Sequence, residues 1–555
     1  MIYTKLISSL EKAFVDESID KFQALEKISV LRGERLSLQL LHIQDAVGYQ
    51  FLCYPKLSLE GELAEYATAR DVCHLPVIRP INPDAYDDNY LRTTPGIYPD
   101  LLRPLHQNGS AVIGTTLGSI WIEIDIPNDF KPGAQKLTVK LDAEKYGFGI
   151  IENSIEIEVI DATLPEQTLI NTEWFHCDSL ATYYNVKMWS RRHFEIIENY
   201  MRVAVKNGQN MMITPVFTLA LDTAVGGERP THQLVGVTKC ADEYSFDFKL
   251  LDKWIRLCNK VGFKYFEISH FFTQWGALHA PKIMATVDGE YKKIFGWETD
   301  AHGEEYRTFL RAFLKAFLEH MKKKGDDKRC FFHISDEPHI DHIENYKKSK
   351  AVVEDLLEGY TIMDAMSKYE FYEKGIIKTP IPSNNHIKPF LEHKVGGLWT
   401  YYCCGQSVDV SNRLISMPSY RNRSIGMQMF KYNIIGFLQW GYNFYQSFHS
   451  EDTINPTVDL SGDDWVPAGD ICSVYPAQNG EALESLRLIV FNEALQDMRA
   501  MQLLEKYMPH DKIVAEIESV FGKSIEFDVC ATNSQQMLAV REKVNELIKN
   551  CIKSK

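Results

Sequence analysis

Residues 329–339 have the sequence RCFFHISDEPH, in which an apolar run, 330–334, ends on two adjacent carboxylates and a chain breaker. Apolar runs of this length between breakers are typical of strands buried on both faces, as in a parallel sheet covered by helices. Barrel enzymes carry their catalytic side chains at the carboxyl ends of such strands, so Asp336 and Glu337 are candidate catalytic residues. Because Pro338 disfavours helical backbone in the residue before it, we expect Glu337 to be extended.

Acidic pairs are common in this chain, and most of them are expected to be solvated. Asp326–Asp327 and Asp463–Asp464 are two examples. The Asp336–Glu337 pair differs from them because it ends a predicted buried strand, and carboxyl groups with perturbed pKa values cluster at functional sites.

Buried strand candidates alternate with amphipathic helices after residue 165. They are residues 169–176, 210–217, 265–271, 330–337, 361–366, 379–384, 397–403 and 436–443. Eight strand–helix repeats predict a (β/α)8 TIM-like barrel with the carboxyl pair after its fourth strand. Two long connections leave from the same end, 218–246 and 274–308, and loops of this length are usually lids or pocket walls.

The N-terminal segment has a different pattern. Stretches such as 119–126 alternate apolar and polar residues between turn-forming sequences, which predicts antiparallel strands with one solvated face. Only residues 6–14 are expected to be helical there. We predict a multidomain protein of β plus α/β class: an N-terminal β-sandwich accessory domain over 1–165, a catalytic barrel over 166–510 and a C-terminal helical segment packed on the barrel over 511–555.

The formal net charge of −15 opposes binding to nucleic acid and to anionic lipid, because both require clustered positive charge. A neutral partner is therefore expected. The N-terminus has no apolar core of the signal-peptide kind, and no apolar run approaches the ~20 residues of a membrane span. The sequence predicts a cytoplasmic location without membrane insertion, and it leaves the oligomeric state open.

The 11 cysteines include no C-x-x-C pair, which predicts free, mostly buried thiols. The sequence also lacks an H-E-x-x-H zinc motif, a G-x-S-x-G elbow, a phosphate-binding P-loop and a dinucleotide fingerprint. We therefore expect no metal and no cofactor.

Polar and aromatic side chains collect at the carboxyl ends of four predicted strands. They are Trp174, His176 and Asp178 after the first, His270, Gln274 and Trp275 after the third, Trp399, Tyr401 and Tyr402 in the seventh, and Trp440 and Tyr442 in the eighth. Indole faces for a sugar ring, with amide, phenol and imidazole groups for its hydroxyls, are the composition of a sugar pocket. Each residue alone has a core-filling alternative. A metal held by His176, Asp178 and His270 is a weaker alternative, because these residues lack the usual ligand spacing.

The sequence resembles glycoside hydrolase family 123, the β-N-acetylgalactosaminidases, along nearly its whole length. The resemblance is carried by TEWFHCDSLATYY (172–184), FEISHFFTQWGALHAPK (266–282), FHISDEP (332–338), LWTYYCCGQ (398–406) and GFLQWGYNFY (436–445). These segments occur in the order that the family has, and the family combines a β-sandwich with a (β/α)8 barrel.

The resemblance implies an exo-acting, retaining enzyme in which the 2-acetamido oxygen of the substrate attacks the anomeric carbon and forms an oxazolinium intermediate. Glu337 would be the general acid and then the general base, and an ionised Asp336 would orient the acetamido N–H. Of the two adjacent tyrosines, Tyr401 is the expected donor to the acetamido oxygen, because it shares the strand face of Trp399. Trp440 is the expected pocket floor.

The same resemblance requires a partner for the axial 4-hydroxyl of galactosamine. The candidates are His176, Asp178, His270 and Gln274. The expected substrate is terminal β-linked GalNAc on glycans or glycosphingolipid-type oligosaccharides. Two alternatives stay open: another glycosidase that uses a remote carboxylate nucleophile, and a non-catalytic carbohydrate-binding protein.

Overall fold

The computed structural model describes residues 1–45 and 52–553. Its N-terminal strands are β1 Ile2–Ser8, β2 Lys27–Arg32, β3 Arg35–Gln44, β4 Lys56–Glu60, β5 Ala67–Val77, β6 Gly96–Pro104, β7 Gly118–Asp125, β8 Gly133–Asp142 and β9 Ile150–Thr163. They form one sheet in the order β1-β3-β7-β5-β6 and a second in the order β2-β9-β8-β4. Ile122 of the first sheet and Leu137 of the second belong to one buried cluster, so this part is a β-sandwich.

The N-terminal stretch that was expected to be helical begins as a strand. β1 pairs antiparallel with β3 from Ile2 to Ser8. Leu6, Leu10 and Phe14 have the four-residue spacing of a helix and are all buried, but each of them packs in a different hydrophobic cluster. The prediction was wrong because a strand followed by a buried loop imitates the helical period here.

The second part of the chain contains the barrel together with two smaller sheets. The strands of this part are β10 Ile170–Glu173, β11 Met211–Thr214, β12 Gly236–Cys240, β13 Glu243–Asp247, β14 Tyr265–Ile268, β15 Ile283–Val287, β16 Glu290–Phe295, β17 Cys330–Phe332, β18 Thr361–Ala365, β19 Thr379–Ile381, β20 Trp399–Tyr401, β21 Gly436–Gln439, β22 Val474–Pro476 and β23 Ala482–Glu484. Over the described residues, eight of these strands form one sheet in the order β19-β18-β17-β14-β11-β10-β21-β20. All its pairings are parallel.

The two edge strands of this sheet meet through a bridge between Ser383 and Tyr401, where the Tyr401 N–H donates to the Pro382 carbonyl at 3.2 Å. The sheet is therefore a nearly closed TIM-like barrel. Each of the predicted barrel strands contains one of its strands, so the fold prediction is confirmed.

Helices cover the barrel and form the C-terminal region. They are α1 Cys177–Tyr183, α2 Arg191–Lys206, α3 Lys249–Val261, α4 Glu304–Lys324, α5 Ile343–Val353, α6 Glu370–Glu373, α7 Lys388–Glu392, α8 Ser419–Arg423, α9 Ile425–Lys431, α10 Leu486–Leu504, α11 His510–Phe521 and α12 Ser534–Lys553. The helix before the fourth barrel strand, α4, buries Phe309, Phe313 and Phe317, which are spaced four residues apart on one helix face. It ends at Gly325, whose φ of 75° is a left-handed conformation that glycine adopts without penalty.

The two long connections form a small sheet of their own, in the order β13-β12-β15-β16. Each contributes an antiparallel hairpin, and β12 pairs with β15 in parallel. Within the described ranges, no helix is long and apolar enough to cross a membrane.

The last helix, α12, connects the two parts of the molecule. It contacts β2 and β9 of the sandwich and also α10. The buried Arg541 of α12 donates to Glu34 at 2.6 Å and to Asp497 of α10 at 3.0 Å. The C-terminal segment therefore packs on both the sandwich and the helices of the barrel.

Candidate active site

A cavity of about 210 Å³ lies at the carboxyl end of the barrel, beside the carboxyl pair. It is lined by Trp174, Asp222, Gln274, Trp275, Asp336, Glu337, Ala365, Tyr401, Cys403, Cys404, Leu438, Trp440 and Trp465. The inner residues Trp174 and Leu438 are buried, whereas Trp275 is 45% exposed. The described part of this wall carries carboxyl groups but neither lysine nor arginine, which suits a neutral ligand with hydroxyl donors.

The backbone of Glu337 is left-handed, with a φ of 43°. The expected extended conformation before Pro338 is therefore wrong at this position. Two contacts fix the local geometry: the Trp275 N–H donates to the Asp336 carbonyl at 3.1 Å, and the Tyr401 hydroxyl donates to Oε1 of Glu337 at 2.6 Å. A non-glycine residue in this region costs on the order of 1–3 kcal/mol, and such strain is typical of functional sites.

Asp336 is the more enclosed carboxyl group of the pair. Its Oδ2 accepts from Nε2 of Gln274 at 2.8 Å, while its Oδ1 accepts no hydrogen bond from the described residues. Burial, and then the adjacent charge of Glu337, raise the pKa of Asp336 well above its usual range. A raised pKa opposes the ionised form that is expected of Asp336, so that form needs a further hydrogen-bond donor.

A network of buried ionisable groups lies directly beneath the pair. His333 places Nε2 at 2.7 Å from Glu267 and Nδ1 at 3.0 Å from Asp364. Burial alone would lower the pKa of His333, but hydrogen bonds and charge from the two carboxylates raise it to about 10, so the ring is an imidazolium. Asp364 also accepts the Ile334 N–H at 3.0 Å, and Glu267 accepts Nε1 of Trp174 at 2.8 Å. The network therefore holds both the strand that carries the pair and an indole of the cavity wall.

His270 belongs to this layer rather than to the cavity wall. Its ring stacks on His333 with a centroid distance of 4.3 Å, and its two ring nitrogens have no hydrogen-bond partner in the part of the chain that is described. The ligand atoms of His270, His333 and Asp364 lie within 4.8 Å of one another. A metal does not fit there, because both nitrogens of His333 donate to carboxylates and leave no lone pair for an ion.

His176 and Asp178 are fully buried and bind Arg229 instead of lining the cavity. Arg229 donates from Nε and Nη2 to Asp178, each at 2.8 Å, and from Nη2 to Nδ1 of His176 at 3.0 Å. Its Nη1 donates to the Leu221 carbonyl at 3.3 Å, and Nε2 of His176 contacts the Trp440 carbonyl at 2.9 Å. The two residues thus support the residue before Asp222 and the backbone of the cavity residue Trp440. Sequence position alone could not reveal this, because Arg229 comes from the first long connection.

Trp399 and Tyr442 also lie off the cavity wall. Trp399 is buried against Gly436, where any side-chain carbon would overlap the indole, so it fills a deeper layer of the barrel. Tyr442 stacks on Phe175 and donates its hydroxyl to the Tyr200 carbonyl at 2.8 Å. Both are core residues, the alternative that applies to any single aromatic residue at a strand end.

The adjacent tyrosines separate as the alternation of a strand requires. Tyr401 lines the cavity, whereas Tyr402 is buried against Phe437 and Phe491 on the other face. Gln274, Trp275 and Trp440 reach the cavity together with the carboxyl pair, as predicted.

Trp174, which follows the first strand, lines the cavity as the sequence suggests. Other lining residues carry no such signal in the sequence: Cys403 and Cys404 are free thiols, and Asp222 lies on the first long connection. Trp465 contacts Trp440 at a centroid distance of 5.6 Å, and Nε1 of Trp440 donates to the buried Asp470 at 2.9 Å. Neither Trp465 nor Asp470 follows a strand, so the sequence held no signal for them.

A larger groove of about 850 Å³ lies at the opposite end of the barrel, by the first residues of β18 and β19. Two of its basic side chains are paired: Arg311 with Asp355 at 2.7 Å and Lys350 with Glu354 at 2.9 Å. Catalytic groups of parallel barrels occupy the carboxyl ends of the strands, so the smaller cavity is the candidate active site.

Adjacent carboxyl groups in an aromatic-walled cavity at the carboxyl end of a barrel are features of a glycoside hydrolase. The family model described as "Glycoside hydrolase 123, catalytic domain" matches residues 174–504, which is more than half of the chain. The chain belongs to glycoside hydrolase family 123. No curated protein gives a significant match.

Solved structures with a similar fold include a family 123 glycoside hydrolase from Clostridium perfringens. It has 15% sequence identity and a TM-score of 0.73, and the match covers 100% of this chain and 98% of that one. A family 39 glycoside hydrolase from Bacteroides cellulosilyticus has 10% identity, a TM-score of 0.32 and coverage of 80% of each chain. A GH5 xyloglucanase from Bacteroides ovatus has 8% identity and a TM-score of 0.30, with coverage of 85% of this chain and 98% of that one.

Proposed function

We propose that the protein is an exo-acting, retaining β-N-acetylgalactosaminidase that works by substrate assistance. The observation that carries the proposal is that Asp336 and Glu337, adjacent in sequence, both line one aromatic-walled cavity. Two carboxyl groups on one strand end stand on the same side of a bound sugar. A nucleophile from the substrate itself would then complete the reaction, and the 2-acetamido oxygen supplies one.

In the first step the acetamido oxygen attacks the anomeric carbon while the glycosidic bond breaks. Glu337 gives its proton to the leaving oxygen, and the product on the enzyme is an oxazolinium ion. Asp336 accepts the acetamido N–H through Oδ1, the oxygen that Gln274 leaves unoccupied. This contact favours the ionised form of Asp336, so substrate binding counteracts the raised pKa of Asp336, and the ionised carboxylate stabilises the developing positive charge.

Tyr401 is the proposed donor to the acetamido oxygen. In the structure its hydroxyl donates to Glu337 at 2.6 Å. When a sugar binds, this hydroxyl turns to the acetamido oxygen and leaves an oxygen of Glu337 for the glycosidic oxygen. In the second step Glu337 takes a proton from water, which attacks the anomeric carbon from the leaving-group side and gives net retention.

The proposed substrate is a terminal β-linked GalNAc on a glycan or a glycosphingolipid-type oligosaccharide. The study of the Clostridium perfringens relative concerns glycolipid glycan hydrolysis, which supports including glycolipid glycans among the substrates tested. Trp440 is the proposed platform for the sugar ring, and the exposed Trp275 is the proposed contact for the leaving group. A wall without lysine or arginine in the described chain is compatible with an uncharged sugar.

A second candidate is a glycosidase with a protein nucleophile, because Asp222 adds a third carboxyl group to the cavity wall. Release of p-nitrophenol from the β-GalNAc, β-GlcNAc and β-Gal aryl glycosides distinguishes the two. Substrate assistance is supported if only the β-GalNAc glycoside is cleaved and if Asp336→Asn loses roughly 2–4 kcal/mol of transition-state stabilisation on it. Comparable turnover of β-Gal, or indifference to Asp336→Asn, favours the second candidate.

A further inference from the structure

Asp222 is a buried carboxyl group of the cavity that the proposed reaction does not use. It is about nine-tenths buried and lies on the wall with the catalytic pair. No described residue donates a hydrogen bond to the carboxylate oxygens of Asp222, although its backbone N–H and its backbone carbonyl are both hydrogen-bonded. Burying a carboxylate without donors is costly, so this group is arranged for donors that a ligand brings.

The surrounding contacts fix Asp222 relative to the carboxyl pair. The backbone N–H of Asp222 donates to Oε1 of Gln274 at 2.6 Å, and Nε2 of Gln274 donates to Asp336 at 2.8 Å. The backbone carbonyl of Asp222 accepts a hydrogen bond from Oγ of Ser450 at 2.8 Å. The φ of 51° is left-handed, a region that aspartate tolerates better than most residues. Asp222 is therefore rigidly held one side chain away from the group that would receive the acetamido N–H.

The electrostatics point to hydroxyl donors as the ligand groups. Burial, together with Glu337 and Asp470, raises the pKa of Asp222 to about 7, and only Arg229 opposes this. Arg229 itself is occupied by Asp178, so it does not neutralise the carboxylate directly. A carboxylate has two acceptor oxygens, which match two neighbouring hydroxyl groups of a sugar ring.

We propose that Asp222 determines sugar specificity by accepting hydrogen bonds from the ring hydroxyls on C3 and C4 of the bound hexosamine. This inference rests on the proposed function, in which Asp336 binds the nitrogen on C2. C3 is the next ring carbon, and Gln274 links Asp336 to Asp222 on that side. His176 and Asp178, the earlier candidates for the 4-hydroxyl, act through Arg229 to hold the loop that presents Asp222.

The test compares kcat/KM for p-nitrophenyl β-GalNAc and its 3-deoxy, 4-deoxy and 6-deoxy analogues in wild type, Asp222→Asn and Asp222→Ala. Hydrogen bonds to a charged group predict a loss of roughly 10- to 100-fold on the parent substrate. The loss caused by the substitution should become smaller on both the 3-deoxy and the 4-deoxy analogues and stay at full size on the 6-deoxy analogue. Asp242→Asn, at an exposed turn of the first long connection, is the matched control and should change nothing.

Equal losses on all four substrates, or a full-size loss on either the 3-deoxy or the 4-deoxy compound, would overturn the proposal. Azide separates it from the nucleophile alternative: restored turnover of Asp222→Ala with formation of a glycosyl azide would make Asp222 the nucleophile and overturn both proposals. If the wild type does not cleave β-GalNAc at all, the proposed function fails. The same deoxy comparison on the glycoside that it does cleave then still tests Asp222. Calorimetric binding of a GalNAc-thiazoline keeps the test independent of turnover, with weaker binding expected in both folded variants.

Discussion

The hydroxyl of Tyr401 lies 2.6 Å from Oε1 of Glu337, although the two residues are 64 positions apart in the sequence. One comes from the seventh barrel strand and the other follows the fourth, so this hydrogen bond connects two sides of the cavity wall. In the proposed mechanism this phenol can donate to Glu337, to the acetamido oxygen of the substrate, or to each in turn.

Tyr401→Phe should lower kcat/KM for p-nitrophenyl β-GalNAc by roughly 10²–10³-fold, because it removes the hydroxyl proposed to donate to the acetamido oxygen. Tyr402→Phe is the control, since its ring lies in the core and its hydroxyl is 3.5 Å from Asn422. Steady-state kinetics on both variants checks this. Equal effects of the two substitutions would exclude a specific role for Tyr401.

Glu337→Gln should discriminate between leaving groups. An oligosaccharide needs protonation of its leaving oxygen, so a loss of roughly 10²–10⁴-fold is expected. The activated p-nitrophenyl group needs it less and should lose less. Glu344→Gln, at an exposed helix position, is the matched control. The assignment of Glu337 as the acid would be untenable if both leaving groups suffered the same loss.

His333→Gln should be strongly destabilising, because it leaves Glu267 and Asp364 buried without their cation. Loss of one partner of a buried ionic group costs about 3–5 kcal/mol of the free energy of unfolding. The pKa of His333 is raised from 6.5 to about 10, so its contribution is complete below pH 6.5 and disappears as the pH rises through 10. Chemical denaturation should show that the difference in the free energy of unfolding between wild type and variant becomes smaller as the pH rises across this range.

The control for this comparison is His320→Gln, whose ring pairs with Asp252 at 2.7 Å near the surface. Pairs in such positions contribute less than about 1 kcal/mol. A pH-independent gap for His333→Gln would mean that its ring acts through packing and not through its charge.

Asp222→Asn should stabilise the empty protein at neutral and alkaline pH. The pKa of Asp222 is raised from 3.8 to about 7, so its charged form is disfavoured in the folded state, and the penalty grows as the pH rises from 4 to 7. Its upper limit is about 4 kcal/mol. Melting temperatures should coincide near pH 4 and separate above pH 7, with the variant higher. If the melting temperatures of wild type and variant differed by the same amount at every pH, the ionised Asp222 would not destabilise the folded protein. That result would contradict the view that Asp222 is kept for ligand binding at the expense of stability.

Much of the fold was predictable because its signals are local. Buried runs bounded by breakers located all the barrel strands, and the end of one of them located the carboxyl pair. Alternation correctly separated Tyr401 from Tyr402. The depth of a side chain along the barrel was not predictable, which is why Trp399 proved to be core while Tyr401, two residues on, reaches the cavity.

The unpredicted part of the site depends on contacts between distant segments. His176 and Asp178 were expected in the sugar pocket, but they are buried against Arg229, which comes from a connection without regular periodicity. Asp222 lies on the same connection. At Glu337 the steric preference before proline is overridden, and contacts from Trp275 and Tyr401 hold the two carboxyl residues in place.

The most direct test of the central claim is the wild-type kcat/KM for p-nitrophenyl β-GalNAc and its N-monofluoroacetyl, N-difluoroacetyl and N-trifluoroacetyl analogues. Fluorine withdraws electron density from the amide oxygen, so substrate assistance predicts a steep fall with each added fluorine. Rates that do not change with fluorination would contradict the acetamido oxygen as nucleophile, and a carboxylate of the protein would have to take that role.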